Sequence, residues 1–399
     1  MPDELIHADP VLLSLFILFG FSFLVQMVYY WGIFLKVGKR HKLRGMRHKA
    51  SGIREEVSPT IDNQQSTIDN PPGVSVVICA HNEFHHLSNS LPQFLEQDYL
   101  LYEVVVVDHA SDDDTPLLLA DLADRYKHLK VITIQRDLNF FSGKKFPLSI
   151  GIKSASYELI LLTDADCRPA GNQWVRLMQE AFSDDKEIVL GYGAYEKRKG
   201  ILNALIRYDT LQVAIQYLSF AMAGMPYMGV GRNLAYRKRL FYQQKGFISH
   251  YRIASGDDDL FINQVAHRKN TGVQINPGAF TYSEPKTSAG KWFTQKRRHL
   301  TTSSHYRFLH KILLGLYSAA QLAFWILLTL LLIWKFAWIV VLSVLLLKWV
   351  SQYIVFGRCM KQLQEKQLIP WIPLLDWMIL LIQVLIAGTN LITRPQKWK

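Results

Sequence analysis

Apolar residues lie in four long runs and, between the first and second of them, in short bursts separated by polar stretches. Residues 11–35 form a run of about 25 positions, long enough to cross a bilayer, with Gln26 its only strongly polar side chain. Residues 312–334, 336–356 and 368–392 are three further candidate spans. The bursts between the spans have a different period. Residues 74–80, 103–108, 130–135 and 158–163 are short apolar runs of β-forming character, which predict strands buried on both faces. Helical patterns at 84–97, from Ser111–Thr115 onward with Ser111 as N-cap, and at 144–155 alternate with them. Strand and helix in alternation predict an α/β fold with a doubly wound, mostly parallel sheet. The expected organisation is a transmembrane helix (1–37), a flexible linker (38–73), a globular domain (74–310) and about three transmembrane helices (311–399).

Later in the domain, residues 187–193 predict a strand, and 228–237 a glycine-rich stretch leading into another. Gly229 and Gly231 do not have dinucleotide-fingerprint spacing and are expected where chains approach closely. Residues 200–223 predict an apolar helix interrupted by Asn203, Arg207, Asp209, Gln212 and Gln216, hence an interfacial or domain-covering helix.

The composition, 49% hydrophobic and 20% charged, fits a membrane protein with a soluble insert. Its net charge of +12 is concentrated beside the spans. Lys36, Lys39, Arg40, Lys42, Arg44, Arg47 and Lys49 follow the first, and Lys296, Arg297, Arg298, Arg307 and Lys311 precede the second. The positive-inside rule then puts the amino terminus outside and the domain in the cytoplasm, with membrane lipids rather than nucleic acid as the partner of the basic residues. The acidic leader and the length of the first run argue against a cleaved signal. Cys79, Cys167 and Cys359 have no metal-like spacing and imply a reducing compartment without disulfides. One conflict stands: four full crossings would put Arg394, Lys397 and Lys399 outside. Pro370, Pro373 and Asp376 mark the last segment as one that begins in the interface or is re-entrant. Lys348 and Asp376, inside spans, are expected to snorkel, to pair, or to line an acceptor path, in that order.

Three clusters carry candidate chemistry. Asp164 and Asp166 end the fourth strand, where open α/β sheets bind ligands, and two hard oxygen donors so spaced suit a divalent cation that also holds phosphate. Asn82, Glu83 and Asp108 follow the first two strands on the same edge, and four acids converging there require a cation or a donor-rich ligand. Asp257, Asp258 and Asp259 open a helix expected to reach about Lys269; capping explains part of that pattern but not three consecutive acids after a glycine. Gln295, Arg298 and His299 share a helix face, with Trp292 one turn earlier, while Lys296 and Arg297 suit a basic juxtamembrane collar.

Taken in order, these segments resemble the family 2 glycosyltransferases, the membrane-bound branch with a GT-A fold. The resemblance covers about residues 74–307. Its carriers are Val-Ile-Cys-Ala-His-Asn-Glu83, Val-Val-Val-Asp108 with Ser111-Asp112, and Gly143-Lys144-Lys145 with Gly151-Ile152. They continue with Asp164-Ala-Asp166, Gly256-Asp-Asp258, and Gln295-Lys-Arg-Arg298-His299. The resemblance implies a nucleotide-sugar donor whose base, uridine, faces Asp108, with Glu83 near the ribose. Asp166, helped by Asp164, would hold Mg²⁺ or Mn²⁺ on the pyrophosphate, with Lys144, Gln295 and Arg298 on the donor. Asp258 would be the base in an inverting transfer, with Asp257 beside it, and His299 and Trp292 would face the acceptor.

Three departures from the family pattern matter. His109 and Ala110 stand where a second Asp and a Gly are usual, and Asp257 replaces Glu. His299 replaces the Trp that stacks under the acceptor in polymer-making members, which favours single-sugar transfer to a lipid-linked or glycan acceptor. The setting implied is cell-envelope glycan or glycolipid synthesis at a bacterial inner or cell membrane. The alternatives are a processive polysaccharide synthase and a non-catalytic nucleotide-sugar-binding membrane protein.

Overall fold

The first apolar run folds as one helix, α1 (Pro10–Gly38), with a π-helical stretch at Val28–Phe34. The computed structural model describes residues 9–39, 71–135, 143–183, 185–253 and 255–393. The linker at 40–70, with the basic residues Arg40 to Lys49, lies outside the described residues, as do Arg394, Lys397 and Lys399. Gln26 is not exposed to lipid: its amide donates to the carbonyls of Ser22 (3.2 Å) and Ala320 (3.4 Å).

Beyond residue 70 come β1 (Val74–Ala80), α2 (Phe84–Leu95), β2 (Tyr102–His109), α3 (Thr115–Arg125), β3 (Leu129–Ile134), α4 (Lys145–Ser154) and β4 (Leu159–Asp164). The strands are apolar on both faces because helices cover both sides of the sheet. β3, β2, β1 and β4 are parallel neighbours, and their register pairs Ala80 with Asp108 and Cys79 with Asp164. The polar residues that follow these strands are thereby brought to one carboxyl edge. Ser111 does not cap α3. Asp114 stands at the N-cap and the Ser111 hydroxyl turns back to Asp108.

The chain then forms β5 (Cys167–Pro169), α5 (Trp174–Gln179), β6 (Ile188–Leu190), β7 (Gly193–Tyr195), α6 (Ile201–Met222), β8 (Leu234–Arg237) and α7 (Lys238–Gln243). α8 (Asp259–Val265), β9 (Thr271–Val273), β10 (Thr281–Ser283) and α9 (Ala289–Leu300) complete the domain. β8 joins β4 and β6 antiparallel and β9 closes the seven-stranded sheet, while β5, β10 and β7 form a small second sheet. The strand expected at 187–193 is two strands in different sheets. Between them the Asn233 amide donates to the carbonyls of Tyr192 (3.0 Å) and Ala279 (2.7 Å), and it sits so close to Gly191 that no side chain fits there. The helix expected to reach Lys269 stops at Val265, where the Asn270 side chain binds the Val265 carbonyl (3.0 Å) and the His267 amide (2.9 Å).

Three long helices follow: α10 (Phe308–Ile333), α11 (Trp338–Gln362) and α12 (Ile372–Ile392). With α1 they make four helices, among the described residues, that are long and apolar enough to cross a membrane. α6 is buried along most of its length and joins this bundle to the sheet. Its polar positions bind rather than face water. Arg207 pairs with Glu365, Gln212 donates to Asp376 (2.9 Å), and Asp209 accepts from Lys296 (2.5 Å). Lys348 and Asp376 do not snorkel: both are fully buried and pair at 3.6 Å, with Gln321 (3.2 Å) and Gln352 (3.0 Å) also donating to Asp376.

Both ends of α12 are tied to helices of the domain. Asp376 near its start binds Gln212 of α6, and Asn390 and Thr393 at its end accept from Arg297 of α9 (2.9 and 2.8 Å).

Candidate functional site

The carboxyl edge of the sheet opens into a cavity of about 1700 Å³ lined by Asp164, Asp166, Asp257, Asp258, Arg298 and His299, among others. β4 delivers Asp164, and the chain turns at Ala165–Asp166 to enter β5, whose Cys167 is in register with Ser283 of β10. Two sheets thus fix the two carboxylates. Oxygens of both, with the Cys167 sulfur, lie within 4.8 Å of one another. Burial pushes the Cys167 thiol up, so it stays protonated, and it hydrogen-bonds Ser283 Oγ at 2.9 Å. The remaining donors are hard carboxylate oxygens, the set a hard divalent cation takes.

Lys144, at the N-cap of α4, places its ammonium on Asp164 and 3.8 Å from Asp257. Burial alone would raise Asp164; Lys144 outweighs it and holds that carboxyl below its ordinary range. Asp166 is held above its ordinary value by burial and by the Asp164 charge. Two carboxylates share one place, and the ammonium compensates one of them. That is a fit for a cation centred on Asp166.

The neighbouring Lys145 points elsewhere. Its ammonium donates to the carbonyls of His250 (2.6 Å), Ile253 (2.7 Å) and Ser255 (2.8 Å), tying down the loop ahead of Gly256, whose φ of 102° suits glycine. That loop presents the acid triplet. Asp258 accepts from the backbone amides of Gly231 and Asp259, both at 2.7 Å. A Cβ at Gly231 would stand 3.4 Å from Asp258 Oδ2, at ordinary contact, so the approach does not itself demand glycine. Burial, then the charges of Asp257 and Asp259, push Asp258 up to about 8. Asp259 is turned away from the cavity's centre and accepts from Thr302 and from Tyr306 (2.7 Å), fastening the segment between α9 and α10.

α9 brings Gln295, Arg298 and His299 to the cavity, with Trp292 lining it from a largely buried position. Lys296 and Arg297 are not a free collar: their bonds to Asp209 and to the end of α12 fix the helix. Glu83 lines the cavity and binds His86 Nδ1 at 2.6 Å. Asp108 does not join it. It is buried and accepts from the Ser111 hydroxyl (2.6 Å), while His81 and His109 line the cavity at the ends of β1 and β2. The His109–Ala110 departure leaves a tight turn: Ala110 adopts φ 52°, a left-handed conformation natural to glycine. Arg232 escaped the motif reasoning. Its guanidinium stacks 4.5 Å from the Tyr195 ring and donates to the Ala194 carbonyl (3.2 Å), adding a cation beside Asp164 and Asp166. Its only sequence signal was its place after Gly231.

Residues 75–243 match the model of Glycosyl transferase family 2. A beta-monoglucosyldiacylglycerol synthase of Trichormus variabilis is 31% identical over 135 residues, 33% of this chain and 27% of that protein. A poly-beta-1,6-N-acetyl-D-glucosamine synthase of Staphylococcus epidermidis is 30% identical over 94 residues, 24% of this chain and 22% of that one. The matched part therefore spans about a quarter of these relatives' length. Among solved structures, the mannosyltransferase PcManGT from Pyrobaculum calidifontis in complex with GDP-Man and Mn²⁺ superposes with a TM-score of 0.55. That likeness, at 18% identity, covers 88% of this chain and 97% of the other, and it concerns the fold. On the family match and the curated relatives, residues 75–243 of this chain form a family 2 glycosyltransferase domain, built on a sheet of GT-A architecture.

Proposed function

We propose that this chain transfers a sugar from a nucleoside diphosphate sugar to a hydroxyl of a membrane-associated acceptor, with inversion at the anomeric carbon. The observation that carries the reading is the meeting of Lys144, Asp164, Asp166, Asp257 and Asp258 on the wall of one cavity. Asp258 takes the acceptor's proton as its oxygen attacks the anomeric carbon. The sugar–phosphate bond breaks, and its electron pair leaves with the nucleoside diphosphate. One displacement with one base inverts that carbon. Lys144, Arg298 and Arg232 face the negative charge that develops on the leaving group. Asp166, with Asp164, would hold Mg²⁺ or Mn²⁺, which when bound supplies further positive charge at the pyrophosphate. His81, Glu83 and His109 line the part of the crevice assigned to the nucleoside, and His299 and Trp292 the part assigned to the acceptor.

The orientation proposed is an amino terminus outside and a cytoplasmic domain. Membranes containing the full chain, incubated with radiolabelled UDP- and GDP-sugars with and without Mn²⁺, test the proposal. Metal-dependent transfer abolished by Asp258→Asn is the expected result; wild-type protein that transfers no label from any donor refutes it.

A further inference from the structure

The cavity does not end at the reaction centre. We infer that its far end seats the hydrocarbon tail of the acceptor, so that the acceptor is an uncharged, hydroxyl-bearing membrane amphiphile held between α10 and α12. The inference rests on the glycosyl-transfer reading above and adds the class of acceptor to it.

The lining changes character along the cavity. Near the sheet it is charged. Farther out it is formed by Gly315, Ser318 and Leu322 on α10 and by Ile379, Ile382 and Ile386 on α12. Both triplets run i, i+3, i+7, so each occupies one face of its helix and the two faces border one space. Gly315 has open space in front of it: a Cβ there would meet nothing within 4 Å. The space has a floor. Gln321, also part of the lining, crosses to Asp376 with bonds of 3.2 Å to both carboxylate oxygens. It has a rim too, at Lys311, where α10 still carries a charge.

Depth and chemistry select the occupant. From Lys311 to Leu322, α10 rises about 16 Å, close to the roughly 15 Å of one leaflet of a bilayer's hydrocarbon core. A glycan chain needs hydrogen-bonding partners along its length, and the two helix faces offer mostly alkyl groups. An aliphatic chain needs none. The head that reaches Asp258 meets Asp257 beside it, so an anionic head such as a phosphate is repelled there where a neutral hydroxyl is accepted.

The test uses the full chain in nanodiscs of phosphatidylethanolamine and phosphatidylglycerol, with the radiolabelled UDP- and GDP-sugar panel. Three acceptors are added separately: a diacylglycerol, a monoglycosylated glycerolipid and a polyprenyl phosphate. Label is expected in the organic phase with one of the first two. Gly315→Leu and, one turn deeper, Ser318→Trp are each expected to lower that transfer at least tenfold, with the dissociation constant for the donor nucleotide within twofold of wild type. Label transferred to an aqueous glycan or to the polyprenyl phosphate overturns the inference while leaving the glycosyltransferase reading intact. Undiminished transfer by both filled variants also overturns it. Absence of transfer from any donor by wild-type protein removes both.

Discussion

Asp257→Asn is a sharp probe of the base. Asp258 stands at about 8, against about 3.8 for an ordinary aspartate, because burial and then the charges of Asp257 and Asp259 oppose its ionisation. A like charge raises a neighbouring carboxyl's pKa, so neutralising Asp257 lowers that of Asp258, by about one unit for one of two flanking charges. A base acts when deprotonated, so kcat/KM should rise with pH through a limb near 8 in the wild type and near 7 in the variant. At pH 7 the deprotonated fraction then grows from about one tenth to about one half, roughly fivefold. The plateau should fall, because the weaker base accepts a proton less readily and Lys144 loses its neighbour 3.8 Å away. The assay is the pH dependence of kcat/KM, which reports the free enzyme, from pH 5.5 to 9.5 with saturating divalent metal. A limb that stays near 8, or moves upward, would refute both the assignment of Asp258 and the electrostatic reasoning behind it.

Three other outcomes are expected. Asp166→Asn should cut kcat/KM by at least about a thousandfold and abolish the response to Mn²⁺ titration, whereas Asp164→Asn should leave a weakened response. Lys145→Met removes three charge-assisted bonds from the 250–255 loop; it should cost about 2–4 kcal/mol, read as a fall in thermal midpoint with loss of turnover. Ala110→Gly relieves a left-handed alanine, worth about 1–2 kcal/mol, against about 0.4–1 kcal/mol for the freer unfolded chain; a small rise in midpoint with unchanged activity is the result to look for.

The first half of the domain was legible because its signals are local. β1 to β4 each announce themselves by a short apolar run, and parallel pairing carries the residues behind them to one edge without further information. The second half depends on contacts between distant segments. Nothing near residues 187–195 says that the chain changes sheets at Gly191; the Asn233 side chain, about forty positions later, decides it. The polar residues of α6 looked like an interfacial face and are partners for Glu365, Asp376 and Lys296, which periodicity cannot reveal. Asp108 illustrates the limit within a motif: the strand end was right, but the Ser111 hydroxyl claims the carboxylate. Lys144 and Lys145 form a dipeptide whose halves do unrelated work, and only the loop at 250–255 tells them apart.

One apolar cluster contains Val77 and Val105 from the sheet, Leu211 from α6, Phe34 from α1, Tyr317 from α10 and Ile379 from α12. The sheet and the bundle therefore melt together or not at all. A fragment of residues 74–307 would expose the α6 surface that α1 and α12 cover, together with Asp209 and Arg207, of which Arg207 would have lost its counter-ion, and it should aggregate rather than fold. Hydrogen exchange in nanodiscs should find α6 among the slowest segments to open, with β1 and β2 beside it. Detergents that loosen the helices should then inactivate the enzyme before they release it, since the wall of the active cavity and the hold on the bilayer are a single piece of protein.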